Sequence, residues 1–458
     1  MTREARSADP ILTWHAAVAG GVGTRLCASL ADRMREARLT FGGRLLCPFL
    51  RPFFLDPGDE ARIRRAAETL WVLGERVARV ASTDAVMLQR LGLSEAEVRL
   101  ALIDPGYEVA STAARADAFI LPDSLQFAEY NAESPAGPGY SQRLAELFAQ
   151  VLGEEPALAS FRDRYSVFFY TPIFDLLMSL LASYRDWGGT ASPPRMAIVD
   201  WREVPTWSEF ELLRDAFIAQ GVPTLICDPR DLIFDGRSLT AGGERIDLVY
   251  RRVLINDIVA RPDECKALID AYRAKAVCVA NTLRCKIPHK KAFFAVLTDD
   301  RFRRLFDPAD LAVIAPHVPW TRVVRDTGTE RDGQTLDLPE YLRRNRERFV
   351  LKPNDEYGGT GVTLGWETGE AAWDEAIARA VRERGGWIAQ ERIRIRREMF
   401  PICEAGGIVE RDMLVDFAPY LFRGRVAGFL TRLSATGLAN VTSGGGQVPA
   451  FIVESRQR

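Results

Sequence analysis

The stretch FVLKPNDEYGGTGVTLG, Phe349 to Gly365, sets two apolar runs around a polar connection rich in glycine. Lys352 ends the first run, and Gly358, Gly359 and Gly361 punctuate the connection. Without a Cβ, glycine lets backbone N–H groups approach an anion closely. A lysine at the end of the leading strand adds a point charge suited to phosphate. An ordinary glycine-rich hairpin reads the same way, so the stretch needs company before it becomes a phosphate cradle. It is not a Walker P-loop, because G-x-x-x-x-G-K-[ST] is absent. No G-x-G-x-x-G opens a βα unit either: GGVGTRL at Gly20 has only two glycines in phase and reads as a loop.

Company comes from FAEYNAESPAG, Phe127 to Gly137. Residues i and i+2 of a strand share a face, so Glu129 and Asn131 can offer a carboxylate and an amide oxygen to one hard cation. Asp117, in RADAFILPDSLQF, falls on the preceding strand if ILPDSLQ forms the turn. Such an oxygen-rich set suits Mg2+, which keeps waters and is completed by substrate phosphates. The competing reading puts Glu129 and Asn131 on the solvent face of an edge strand.

Composition narrows the classes. A chain of 458 residues is long enough for two or three lobes around a deep cleft. Its 60 Lys+Arg against 62 Asp+Glu give a net charge of -2, with no electrostatic footprint for nucleic acid or an anionic membrane. The Arg clusters RIRRAAE and RIRIRRE have acidic neighbours and read as solvated faces. There is no apolar run of about eighteen residues, and the charged opening MTREARSADPILTWH lacks an apolar core, so a cytoplasmic protein is expected. Seven cysteines form no C-x-x-C pair and read as reduced structural thiols. The three histidines, His15, His289 and His317, have no zinc-ligand spacing.

The chain contains no repeat. Apolar residues recur at three and four in ARIRRAAETLWVLGERVARV, predicting helix through the stretch from Glu60 to Ala110, and again in GYSQRLAELFAQVLG. RMAIVDW, WSEFELLRDAFIAQG and VPTLICD read as strand, helix and strand, a βαβ unit. RSLTAGGERIDLVYRR reads as a hairpin turn and a strand, and GGWIAQERI with APYLFRGRVAGFLTRLS as antiparallel sheet. Arg251 and Arg252 adjoin on one strand, so only one of them can face a cleft as a carboxylate clamp. Tyr130 and Trp201 read as core aromatics.

EYNAESP, RADAF, VLKPNDEYGGTGV, WIAQERI and HKKAFFAVL together resemble the motif set of the circularly permuted ATP-grasp superfamily, in particular glutathionylspermidine synthase-like and eukaryotic glutathione synthetase-like ligases. The resemblance runs from about Arg115 to Val453. It implies an α/β (α+β) ATP-grasp fold; joined to the helical and βαβ readings above, it gives a helical N-terminal region (1–110), a metal-ligand part of the core (111–190), a βαβ substrate lobe (191–285) and a nucleotide clamp with a glycine-rich lid (286–458). It also implies Mg2+, as two ions, on Asp117, Glu129, Asn131 and Glu356, the last set off from the glycines by Tyr357. Lys352 and Lys291, with Lys290 as the alternative, would meet ATP together with Gly358, Gly359, Thr360 and Gly361. Gln390, Glu391 and Ile393 would receive adenine. Arg115 would act on phosphate, and Arg432 near the acceptor, beside a loop at Gly444 to Gly446. The region of Tyr140 would belong to the acceptor side.

The expected activity is therefore an ATP- and Mg2+-dependent carboxylate–amine ligase working through an acylphosphate, on small-molecule or peptide substrates. A phosphotransferase on the same fold and a non-catalytic nucleotide-binding protein are the alternatives. The lid from Asn354 to Gly361 is expected to be mobile without nucleotide.

Overall fold

The structure is a computed structural model describing residues 9–121, 125–325, 328–331, 333–356, 358–404, 407–435 and 445–456. Gly444, Tyr357 and the centre of the turn between Asp117 and Glu129 lie outside the described residues.

The central element is an antiparallel sheet with the strand order Gly446–Val448, Arg425–Ser434, Gly407–Phe422, Ala113–Ile120, Leu125–Asn131, while Arg397–Glu404 pairs with the outer half of Gly407–Phe422. The long strand changes character along its length. GIVERD runs from half-buried to exposed, whereas MLVDFAPYLF is buried throughout and belongs to the core. Asp416 is the one carboxylate in that buried half. Helix Pro57–Ala81, capped by the Asp56 side chain, packs against this sheet through an apolar stripe that includes Ile63, Leu70 and Val77.

A second sheet is parallel, with the order Cys278–Ala280, Leu248–Arg251, Met196–Val199, Thr224–Cys227, and helix Trp207–Ala219 supplies the crossover between the last two. Met196–Val199 and Leu248–Arg251 are buried at every residue, as expected for parallel strands covered on both faces. Asn281, just past this sheet, is stapled to the central one: its Oδ1 accepts the Ala113 N–H at 2.8 Å, and its Nδ2 donates to the carbonyls of Ala113, Ala132 and Glu133.

The third sheet is antiparallel, in the order Thr321–Val323, Trp387–Glu391, Phe349–Pro353, Thr363–Leu364. Helices Leu338–Arg344 and Glu370–Arg382 belong to its core, with Trp373 fully buried. Ala450–Ser455 closes the chain between Phe53–Leu55, parallel to it, and Tyr165–Phe168, antiparallel.

Two expectations are corrected. GGVGTRL opens helix Gly21–Glu36 instead of forming a loop; Gly20 takes φ 61 just before it, and the helix lays Leu26, Leu30 and Met34 into the core. The cysteines are not all reduced: Cys27, on that helix, is disulfide-bonded to Cys403 of the strand Arg397–Glu404. Two residues 376 positions apart in sequence give no local signal of pairing. The other five are buried free thiols.

Candidate active site

A cleft of about 160 Å³ separates the central sheet from the third one. Its floor on the central side begins with an irregularity. Asp117 pairs with Glu129, and the next pair is Ala118 with Phe127, so Ala128 is an extra residue in its strand. A bulge of this kind leaves one residue outside the ladder and re-aims its neighbours. Here the carbonyl of Ala128 accepts a hydrogen bond from Lys352 Nζ at 3.2 Å, across the cleft.

Register places Asp117 opposite Glu129 and Arg115 opposite Asn131. Asn131 Nδ2 donates to Glu129 Oε1 at 3.0 Å. Arg115 forks onto Asp117, with Nε to Oδ1 at 2.6 Å and Nη2 to Oδ2 at 3.0 Å. Arg432 adds Nη2 to Asp117 Oδ2 at 2.5 Å and reaches Asp416 Oδ2 at the same distance. Burial alone would raise the Asp117 carboxyl, but the two guanidiniums hold it well below the usual carboxylate range. For Asp416 burial wins: Arg432 and Arg115 draw its carboxyl down, but burial and the nearby Asp117 charge push it up to about 7. Asp416 Oδ1 and Arg432 Nε are buried without a hydrogen-bond partner.

The opposite wall carries the lysines. Lys352 Nζ donates to Gln390 Oε1 at 2.7 Å, and Gln390 Nε2 donates to Thr321 Oγ1 at 3.2 Å. Burial pushes the Lys352 ammonium down to about 8, only partly offset by Glu129. Lys291 Nζ lies 3.5 Å from Glu129 Oε2 and donates to the Glu356 carbonyl at 2.5 Å. The backbone holds Lys291 in place: its N–H donates to the Asn354 carbonyl at 2.9 Å, and Asn354 Oδ1 accepts the next N–H, from Ala292, at 2.8 Å. Asp355 accepts from Lys286 at 2.8 Å and Lys290 at 2.5 Å, fixing the base of the glycine-rich segment.

Of the residues expected from sequence, Asp117, Glu129, Lys291, Lys352, Glu356, Gly358, Gly359, Thr360, Gln390, Glu391, Ile393 and Arg432 line this one cleft. Arg115 and Asn131 stand behind it, each bonded to a lining carboxylate. Gly361 follows Thr360 with φ 73. Lys291 reaches the cleft, whereas Lys290 is buried on Glu97 and Asp355. The expectation that Arg251 or Arg252 faces the cleft is corrected, because both are buried away from it. Arg251 is bonded to the carbonyls of Val253 and Asn281, and Arg252 to the Pro135 carbonyl and the Tyr250 hydroxyl; they brace the ESP turn. Tyr130 and Trp201 are core residues.

Asp416 is the charged lining residue that sequence reasoning missed. Its signal was a single carboxylate inside the apolar text MLVDFAPYLF. Val350, Leu364, Ile393, Ile395 and Trp366 supply apolar walls, suited to a flat ring.

The donors fit a hard divalent cation in kind. Glu129 and Asp117 line the cleft with carboxylate oxygens, Asn131 standing behind Glu129 and Asp117 bonded to Arg115 and Arg432, and Mg2+ is commonly held by one or two carboxylates plus substrate phosphates. Among the described residues no group of three or more His, Cys, Asp or Glu could hold a metal by itself.

Residues 122–434 match the family described as circularly permuted ATP-grasp type 2, and the chain belongs to that family. A relative from Frankia casuarinae, provisionally named glutamate–cysteine ligase 2-2, is 23% identical over 343 residues. The match covers 71% of this chain and 36% of the relative, so the chain spans about a third of that protein's length. Among solved structures, a glutathione synthetase-like effector of Globodera pallida in its apo form aligns with a TM-score of 0.60 at 12% identity, over 97% of this chain and 98% of that one. It shares the fold.

Proposed function

We propose that the protein is an ATP- and Mg2+-dependent ligase that joins a carboxylate to an amine. One observation carries the reading: Lys291 and Lys352 face Glu129 and Asp117 across a single cleft that the glycine-rich segment borders. Phosphoryl transfer asks the protein mainly for positioned charge. The two lysines would meet the triphosphate from one side. Glu129, Asn131 and Asp117 would hold Mg2+, which supplies positive charge to the phosphate oxygens from the other. The apolar walls Val350, Leu364 and Ile393 would take the base and keep water out.

In this reading a substrate carboxylate oxygen bonds to the γ-phosphorus as the bond to ADP breaks. The amine then attacks the acyl carbon, phosphate leaves and the amine loses a proton. Arg432, held by Asp117 and Asp416, is the group to orient the carboxylate or the departing phosphate. The glutamate–cysteine ligase name of the relative supports amino acids or short peptides as the substrate class.

The test is ADP release from ATP on mixing carboxylate and amine pairs, starting with amino acids. Lys352→Ala and Glu129→Gln should each lower turnover by about 10²- to 10³-fold, the loss of roughly 3–4 kcal/mol of transition-state stabilisation. A stable phosphoester product would instead identify a phosphotransferase. Tight ATP binding with no ADP from any pair would count against catalysis altogether.

A further inference from the structure

A separate cavity of about 300 Å³ opens against helix Ala292–Thr298 and shares no lining residue with the cleft. Four arginines line it, Arg90, Arg301, Arg322 and Arg325, against one carboxylate, Asp299. That carboxylate is already engaged by Arg301, at 2.9 Å from Nε and 2.5 Å from Nη2. Arg322, only 4% exposed, donates among the described residues only to neutral oxygens, including Thr329 Oγ1 at 2.9 Å and the Glu330 carbonyl at 3.0 Å. Among the described residues the Arg325 side chain donates one hydrogen bond, to the Gln89 carbonyl at 3.2 Å. Arg90 lies over the Phe302 ring and donates none to any described residue. Among the described residues no carboxylate pairs with Arg90, Arg322 or Arg325. Asp299 and the exposed Asp300 act on Arg322, and the exposed Glu330 on Arg301, only through space.

Gathering like charges around a partly buried cavity is costly unless counter-charge arrives. The strain registers on the guanidiniums: burial lowers Arg322 to about 10, and burial with the charges of Arg90, Arg301 and Arg384 lowers Arg325. Guanidinium forks match the oxygens of phosphate bidentately, and Arg90 and Arg325 retain the donors to do so.

We propose that this cavity binds a small, multiply charged phosphate anion, inorganic pyrophosphate or a phosphorylated metabolite of similar size, held by Arg90 and Arg325 over the fixed charge of Arg322. The site is independent of the nucleotide cleft and of the ligase reading.

The experiment is calorimetric titration of the full chain with inorganic pyrophosphate without divalent metal. The cleft can also accept this probe, so the Lys352→Ala chain is titrated in parallel. A binding event that survives Lys352→Ala and is weakened at least ten-fold by Arg325→Gln and by Arg90→Gln is expected. Without ligand these two variants should melt no lower than the parent, because each relieves repulsion. Absence of a Lys352-independent event, or equal binding by the arginine variants, would overturn the proposal. So would clearly lowered melting of the ligand-free variants, which marks the arginines as structural. Citrate binding as tightly as pyrophosphate would overturn the phosphate assignment.

Discussion

Lys352 is drawn in two directions: its strand sinks the ammonium into the cleft, while Glu129 is the nearby negative charge that favours keeping it. Burial prevails, and its pKa falls to about 8. The consequence for stability follows from proton counts. Between about pH 8 and the ordinary lysine value near 10.4, the unfolded chain holds this proton and the folded one does not, so the contribution of Lys352 to stability rises with pH. Anion binding runs the other way, because it needs the charged form. Nucleotide affinity should fall as pH climbs above about 8, and binding near pH 9 should take up a proton. Calorimetry in buffers of different ionisation enthalpy measures that uptake, and Lys352→Arg should abolish it. Lys352 and Glu129 were visible in sequence because their neighbours are apolar. Asp416 was not, since its meaning depends on Arg432, which the register of two neighbouring strands sets opposite it. Nor could sequence show that Arg251 and Arg252 both turn into the protein to brace the turn after Asn131.

At the level of elements, the glycine-rich segment is specified by backbone geometry. Gly358, Gly359 and Gly361 have φ of 66, 79 and 73, values that cost an L-residue roughly 1–2 kcal/mol each. At Gly361 space is also lacking, because a Cβ would meet Pro353 Cγ at 2.7 Å. Gly361→Ala should therefore weaken nucleotide binding several-fold. Gly369→Ala, in open space with φ -65, should leave it unchanged; calorimetric titration of the pair decides. The lid expectation is tested by hydrogen exchange over 354–361, which should slow when nucleotide binds. No change on binding would show a segment already fixed by Asn354 and Asp355. The alternation of FAEYN made the strand legible, yet the Ala128 bulge was not, because a bulge appears only once the partner strand is in place.

On the scale of the whole molecule, distant segments close the structure. The C-terminal strand Ala450–Ser455 lies between strands from residues 53–55 and 165–168, with Phe451 fully buried. The Cys27–Cys403 bond ties an N-terminal helix to the hairpin beyond the cleft. Reduction, or Cys403→Ser, should cost about 2–4 kcal/mol of stability and leave nucleotide affinity unaltered, since neither cysteine lines the cleft. Denaturant titration with and without reductant measures the first, and non-reducing peptide mapping establishes the bond itself. Among the described residues no helix is long and apolar enough to cross a membrane.

The sequence alone determined which groups lie close along the chain: a lysine before a glycine-rich connection, a glutamate and an asparagine two residues apart on one strand, and a βαβ unit. These are local properties, written in the spacing of residues on one strand or turn. Only the tertiary structure decided which groups share a site. The facing of Lys352 and Glu129, the choice of Lys291 over Lys290, the Arg432–Asp416 pair, the disulfide and the arginine-lined cavity all depend on contacts between segments tens to hundreds of residues apart. Their positions follow from strand register and packing, which no local periodicity records.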